Sequence, residues 1–210
     1  MSQLYLISPP EINDLAGFAI LLEKLLAKNI VSIFQLRLKN QTQSKAAKYV
    51  AKLLPVCQKY HTEFFINDFY ELARYYPVSG IHLGQNDAQL QQVKAEFNQQ
   101  LKIGISCQNS LKLAKQAQAA GADYVSFGSC FPTKTKLDTV PVTHDIFAKW
   151  RQISNLPQAA IGGIDFSNIE KILFYKPDYI CMISAIWSYP AGPEAALEKF
   201  GKLTTKNGKW

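Results

Sequence analysis

A chain of 210 residues with 48% hydrophobic and 19% charged residues has the balance of a globular protein, long enough to bury the core of a single domain over 1–210. No apolar run reaches the ~18–20 residues of a bilayer helix, and the first ten residues lack the basic start of a secretion signal, so the expectation is a protein without a membrane partner. The net charge of +7 is scattered through helical segments, with a concentration only at Lys202, Lys206 and Lys209, so it reads as a solvated surface and small anionic ligands rather than a nucleic-acid stripe.

Strand-like and helix-like segments alternate from end to end. The first strand, 4–8, stops at Pro9 and Pro10. The second, 31–38, opens with Val31, Ile33 and Phe34, as strands covered on both faces do. It then alternates, with Gln35, Arg37 and Lys39 on one side and Leu36 and Leu38 on the other. Two cations and an amide on an inward face would each cost on the order of several kcal/mol if unpaired. They either meet an anion there or belong to an edge strand with its charges in solvent. An amphipathic helix follows over 45–60, with Ala46, Tyr49, Val50, Leu53, Leu54 and Cys57 at helical spacing. Further strands read at 63–68, 80–84, 102–106, 124–130, 158–164 and 179–186, with helical stretches at 111–120 and 168–174 between them. Ser110, Ser167 and Asp87 or Asn86 are candidate N-caps, and Gly121 and Asn155 close helices. Repeated β-α units without a linker predict an α/β fold, a single (β/α)8 TIM barrel. The rival doubly wound sheet would bind a dinucleotide through G-x-G-x-x-G after its first strand, and that motif is absent.

In a barrel of this kind chemistry sits at the C-terminal ends of the strands. There the sequence places Gln35, Arg37 and Lys39, then Asn67 and Asp68, Asp87, Ser106, the loop residues Thr133, Thr135 and Lys136, Gly162 and Gly163, and Ile183 with Ser184. Taken singly, each has an ordinary structural role as a cap, turn or surface residue. Gathered at one mouth, Asp68 and Asp87 suit a Mg²⁺ that keeps water and binds phosphate oxygens. Arg37, Lys39 and Lys136 can clamp a highly charged anion, with Ser106, Thr133 and Thr135 donating from hydroxyls. The loops after strands seven and eight offer backbone N–H groups to a second phosphate. The long loop 131–142 has a length usual for functional loops.

No acid–base or nucleophile signature is visible. His82 reads as a barrel-interior residue, His61 as near a helix end and His144 as at a helix start. Cys57, Cys107, Cys130 and Cys181 are too far apart in sequence for a zinc site or disulfide framework, which favours a reducing compartment, the cytoplasm. Cys107 and Cys130 lie near the mouth without a paired base and read as inert.

Eight segments in register carry a family resemblance: Gln35-Leu-Arg-Leu-Lys39, Ile66-Asn-Asp68, Gly80 to Asp87, Gly104-Ile-Ser106, Gly121 to Val125, Pro132 to Lys136, Ile161 to Ile164 and Ile183 to Ile186. Together they resemble the thiamine phosphate synthase family. The resemblance implies joining of a hydroxymethylpyrimidine diphosphate to a thiazole phosphate with release of pyrophosphate. It implies that Gln35 faces the pyrimidine, that Arg37, Lys39, Asn67, Ser106 and Lys136 hold the diphosphate, and that Asp68 and Asp87 hold Mg²⁺. Thr133 and Thr135 would contact the thiazole phosphate or close the loop, and Gly163 with the backbone at Ile183 and Ser184 would bind that phosphate. Of these, Arg37, Lys39, Ser106 and Lys136 would carry the catalysis. The related thiazole tautomerases place a catalytic histidine where this chain has Gln108, which cannot shuttle a proton as histidine does. An isomerase of that kind and a non-catalytic binder of thiamine or phosphate metabolites are the alternatives. Aromatics around Phe174 and Tyr175 hint at a contact surface and leave a homo-oligomer open.

Overall fold

Along β1 (Gln3–Ile7) and β2 (Val31–Leu36) nearly every side chain is buried, because both faces of the sheet are covered. A computed structural model describes residues 2–39, 41–85, 87–97, 101–133 and 141–206 of the chain. In it β3 (Glu63–Ile66), β4 (Gly80–Leu83), β5 (Lys102–Ser106), β6 (Tyr124–Phe127), β7 (Gln158–Ala160) and β8 (Tyr179–Met182) follow in order, each parallel to the last. The eighth strand returns to the first, with Leu4 opposite Ile180, and closes the barrel. The crossings are α1 (Leu15–Leu26), α2 (Gln43–Lys59), α3 (Leu90–Glu96), α4 (Leu111–Ala119), α5 (Ile146–Ile153) and α6 (Ile169–Leu173), with α7 (Ser184–Trp187) and α8 (Pro193–Lys206) after the last strand. The fold is therefore the (β/α)8 barrel that the alternation predicts. Its third crossing is a 3₁₀ turn, Tyr70–Arg74, rather than an α-helix.

The period of two along each strand separates two cores. Leu4, Leu6, Phe34, Leu36, Phe64, Ile66, Val125 and Phe127 point outward and join the helices in one large cluster. Tyr5, Ile7, Ile33, Phe65, Tyr124, Ala159 and Cys181 point inward and fill the barrel, with Tyr179 and Ile161 packed beside them. The inner rings are large. Tyr5, Phe65 and Tyr124 lie 5.9–6.0 Å apart between centroids. Small partners make room for them, since a Cβ at Gly80 would enter the Phe65 ring and one at Gly104 the Tyr124 ring.

Strands end earlier than the sequence pattern implies, at Leu36, Ile66, Phe127, Ala160 and Met182. β1 stops at Ile7 just before Pro9, so β2 loses its ladder partner at the same level. Arg37, Lys39, Asn67, Asp68, Gly163 and Ile183 consequently lie just past the strands, on the rim of one mouth. Ser110 caps α4 as expected, accepting the Leu113 N–H at 3.2 Å. Ser167 and Asp87 do not cap. The Ser167 hydroxyl donates to Asp165, and the Asp87 carboxylate accepts from the Gly84 N–H, each using a nearer loop partner than a helix end. Among the described residues no helix is long and apolar enough to cross a membrane.

Gly104→Ala forces its new methyl group against the Tyr124 ring, and overpacking of this kind costs about 1–3 kcal/mol. A lowered denaturation midpoint with an unchanged denaturant slope is the expected result.

Candidate active site

The rim of the mouth is built by backbone groups that have left the ladder. Ser8, 2% exposed, takes over where β1 ends: its hydroxyl accepts the Arg37 N–H at 3.0 Å and donates to the Arg37 carbonyl at 3.3 Å. This fixes the backbone of Arg37 just beyond β2 while Leu36 and Leu38 stay buried on the outer face. The alternation over 35–39 is thus real, with its polar side at the barrel mouth and no solvated edge.

Asn67 and Asp68 turn the chain after β3. The Asn67 N–H donates to Leu36 O at 3.2 Å and its carbonyl accepts from Phe69 N at 2.7 Å, which puts Asp68 at φ +62°. Aspartate tolerates this left-handed conformation better than most residues. After β4 the chain bends back, and Asp87 is held by the Gly84 N–H with its side chain at the rim.

These rim charges act on one another. Partial burial pushes the Arg37 guanidinium down from its ordinary pKa, and the carboxylates of Asp68 and Asp87 oppose that. Asp68 is pushed up, first by loss of hydration, although part of its side chain faces solvent; Asp87 adds to the rise, while Arg37 and Lys39 counter it. No ion pair joins the four groups among the described residues. Elsewhere the surface charges do pair, as in Lys28–Glu198 at 2.8 Å, Lys59–Glu23 at 2.6 Å and Arg151–Asp178 at 2.6 Å. Open cations beside open carboxylates form a place where an anion and a cation can enter together.

Behind the rim, the interior polar residues are linked. Gln35, 2% exposed, donates from Nε2 to the Tyr5 hydroxyl at 2.8 Å. Tyr5 and Tyr124 share a hydrogen bond of 2.9 Å between hydroxyls. Tyr124 meets His82 Nδ1 at 2.6 Å, and His82 Nε2 meets the Ser106 hydroxyl at 2.9 Å. Ser126 stands 3.5 Å from the same Ser106 oxygen, and Gln85 donates from its amide to the Ser106 carbonyl. Burial raises the Tyr5 and Tyr124 hydroxyls well above the usual phenol range, so both remain proton donors. His82 is an interior residue, as expected.

On the far side of the mouth, Gly162 and Gly163 adopt φ +98° and +66°. A Cβ at Gly163 would meet the carbonyl oxygens of Pro132 and Phe131 at 2.5 and 2.6 Å, so glycine lets the loop after β7 lie against the loop after β6. The Gly163 carbonyl also accepts from the Asn168 side chain at 2.9 Å. Ile183 packs against the inner core, and exposed Ser184 lines a cavity of about 390 Å³ with Phe166, Ser188 and Lys199. Thr133 ends the described part of its loop; Thr135 and Lys136 lie outside the described residues.

Asp68 and Asp87 are an oxygen-only pair at adjacent strand ends, the donor set a hydrated Mg²⁺ uses together with phosphate oxygens. No cluster of three or more His, Cys, Asp or Glu gathers among the described residues. Cys107 and Cys130 are buried and their thiols are pushed up to about 12, which leaves them unreactive. The sequence reading missed Ser8, Tyr5 and Tyr124. The signals for them were the Ser-Pro-Pro stop after β1 and tyrosines at inward positions of otherwise apolar strands.

Known proteins similar to this chain identify its family. Residues 4–186 match the family described as thiamine monophosphate synthase. The thiamine-phosphate synthase of Hyphomonas neptunium is 36% identical over 206 residues, 96% of this chain and 93% of its own length. That of Erythrobacter litoralis is 34% identical over 205 residues, 96% of this chain and 94% of its own. A solved structure of thiamine phosphate pyrophosphorylase from Pyrococcus furiosus superposes with a TM-score of 0.85 at 27% identity, covering 98% of this chain and 96% of that one.

The electrostatic coupling at the rim sets two opposite titration shifts. Arg37→Ala removes a positive charge that holds Asp68 down, so the Asp68 pKa rises; Asp87→Asn removes a negative charge, so it falls. Carboxyl titration by NMR reads both, and parallel shifts in the two variants would contradict the arrangement.

Proposed function

The chain belongs to the thiamine monophosphate synthase family, and on that premise we propose how its barrel mouth makes thiamine phosphate. The activity is that of a transferase of this family. Its substrates are 4-amino-5-hydroxymethyl-2-methylpyrimidine diphosphate and 4-methyl-5-(2-phosphooxyethyl)thiazole. The C–O bond between the pyrimidine methylene and the diphosphate breaks, and its electron pair leaves with pyrophosphate. The resulting cation is stabilised by the ring amine, and the thiazole nitrogen lone pair then forms the new C–N bond.

Such a step needs leaving-group charge neutralised and reactants aligned, and it needs no strong base. Arg37, Lys39 and Lys136 bind the diphosphate oxygens, with Asn67 and the Ser106 hydroxyl as neutral donors. Asp68 and Asp87 hold Mg²⁺, which supplies further charge neutralisation on the leaving pyrophosphate when bound. Because Asp68 is raised, it must give up its proton to serve, so metal affinity falls as pH drops through that raised value. Gln35 fixes the pyrimidine ring. Gly163 and the backbone at Ile183 and Ser184 receive the thiazole phosphate, with Thr133 and Thr135 at its side. The loop that carries Thr135 and Lys136 excludes water, which would otherwise trap the cation.

The observation that carries this reading is the open charge cluster at the mouth, where Arg37 and Lys39 face Asp68 and Asp87 without closing on them. Pyrophosphate release with both substrates, with and without Mg²⁺, tests it. Equal rates without the metal, or no thiamine phosphate formed, would contradict it. Asp87→Ala and Lys136→Ala should each lower kcat by about 100-fold or more while circular dichroism stays that of the wild type.

A further inference from the structure

The interior chain of Gln35, Tyr5, Tyr124, His82 and Ser106 has a direction. A phenol carries one proton, and a neutral imidazole carries a proton on only one nitrogen. With the Gln35 amide donating to Tyr5, the Tyr5 proton is available for Tyr124, and the Tyr124 proton for His82 Nδ1. Nδ1 is then the acceptor and Nε2 carries the proton, which it gives to Ser106. The Ser106 oxygen is thereby an acceptor towards the interior, and its own proton is left for the mouth. In the reverse direction every bond inverts: Ser106 spends its proton on His82, the Gln35 amide turns over, and its carbonyl accepts from Tyr5. With a neutral imidazole, only these two directions make every one of these bonds and leave no buried phenol proton without an acceptor. Arrangements in which two donors converge on one tyrosine oxygen strand that tyrosine's own proton, which is costly in a buried network.

We propose that Tyr124 and His82 are positioning residues which, with Tyr5, tie the Gln35 amide and the Ser106 hydroxyl into one directed chain, so that anion binding at one end and pyrimidine recognition at the other are set together. This rests on the reading of the site above. A diphosphate at Ser106 needs a donor there and so selects the first direction. That direction turns the Gln35 carbonyl to the mouth, where it can accept from the amino group of the aminopyrimidine. The rigid aromatic layer makes the coupling possible: the His82 and Tyr124 rings stack at 5.6 Å with an interplanar angle of 27°, and Gly104 leaves the Tyr124 ring no slack. Neither residue needs to touch the substrate to do this.

The test uses Tyr124→Phe and Tyr5→Phe, which keep the rings and their packing and remove one hydroxyl each. In the wild type with inorganic pyrophosphate and Mg²⁺, imidazole nitrogen shifts measured by NMR should show His82 protonated on Nε2 and bare on Nδ1. Tyr124→Phe removes the donor to Nδ1 and should mix the two tautomers, whereas Tyr5→Phe should leave Nδ1 bare because Tyr124 still donates. The kinetic readout is the preference for the aminopyrimidine diphosphate over its analogue with an oxo group in place of the amine. That preference should fall about tenfold in either variant, the effect of losing one oriented hydrogen bond, with KM for the thiazole phosphate unchanged. A proton on Nδ1 in the pyrophosphate-bound wild type would overturn the proposal. So would undiminished discrimination in both variants, whatever the tautomer. If no thiamine phosphate forms at all, the functional reading fails, and the imidazole shifts still decide whether the chain is directed.

Discussion

Tyr5 and Tyr124 reach across the barrel and meet hydroxyl to hydroxyl at 2.9 Å, and this contact divides the interior into two regions. Below it are apolar faces and rings, packed closely enough that Gly80 and Gly104 cannot carry a side chain. Above it are the amide of Gln35, the imidazole of His82 and the hydroxyl of Ser106, each of which would be costly to bury alone. A closed barrel offers them no edge and no bulk water, so they are satisfied by one another. The strands can therefore deliver polar groups to the mouth without opening the core beneath it.

At the rim the problem is electrostatic rather than steric. Among the described residues several surface charges sit in ion pairs that contribute little. Arg37 is different, being half-buried and held at its backbone by Ser8, with its carboxylate neighbours near but not closed on it. Leaving such a group uncompensated costs stability that a surface pair would not. A dissociative loss of pyrophosphate is the kind of step that can use the stored potential, because the charge to be stabilised develops on the leaving group.

Much of this was legible in the sequence, for identifiable reasons. Alternation of apolar strands and amphipathic helices fixes the barrel, since parallel strands need helical crossovers and a closed sheet needs enough of them. The period of two over Gln35, Arg37 and Lys39 correctly separates the mouth from Leu36 and Leu38 in the outer core. Strand ends were less legible, because a strand stops when its neighbour does, and Arg37 loses its ladder to the proline stop that follows β1. Caps misled where a closer partner existed, as for Ser167 with Asp165 and Asp87 with Gly84. The tyrosines were invisible as polar groups. In an inward strand position a tyrosine reads as one more hydrophobic residue until its partner across the barrel is known.

The central claim is that the mouth binds a diphosphate through its open cations and a metal held by Asp68 and Asp87. Equilibrium binding of inorganic pyrophosphate, followed by calorimetry with and without Mg²⁺ on the full chain, addresses it most directly. Tight binding that depends on the metal and weakens as pH falls through the raised titration of Asp68 is the predicted result. Binding of equal strength without metal, or none under either condition, would contradict the account.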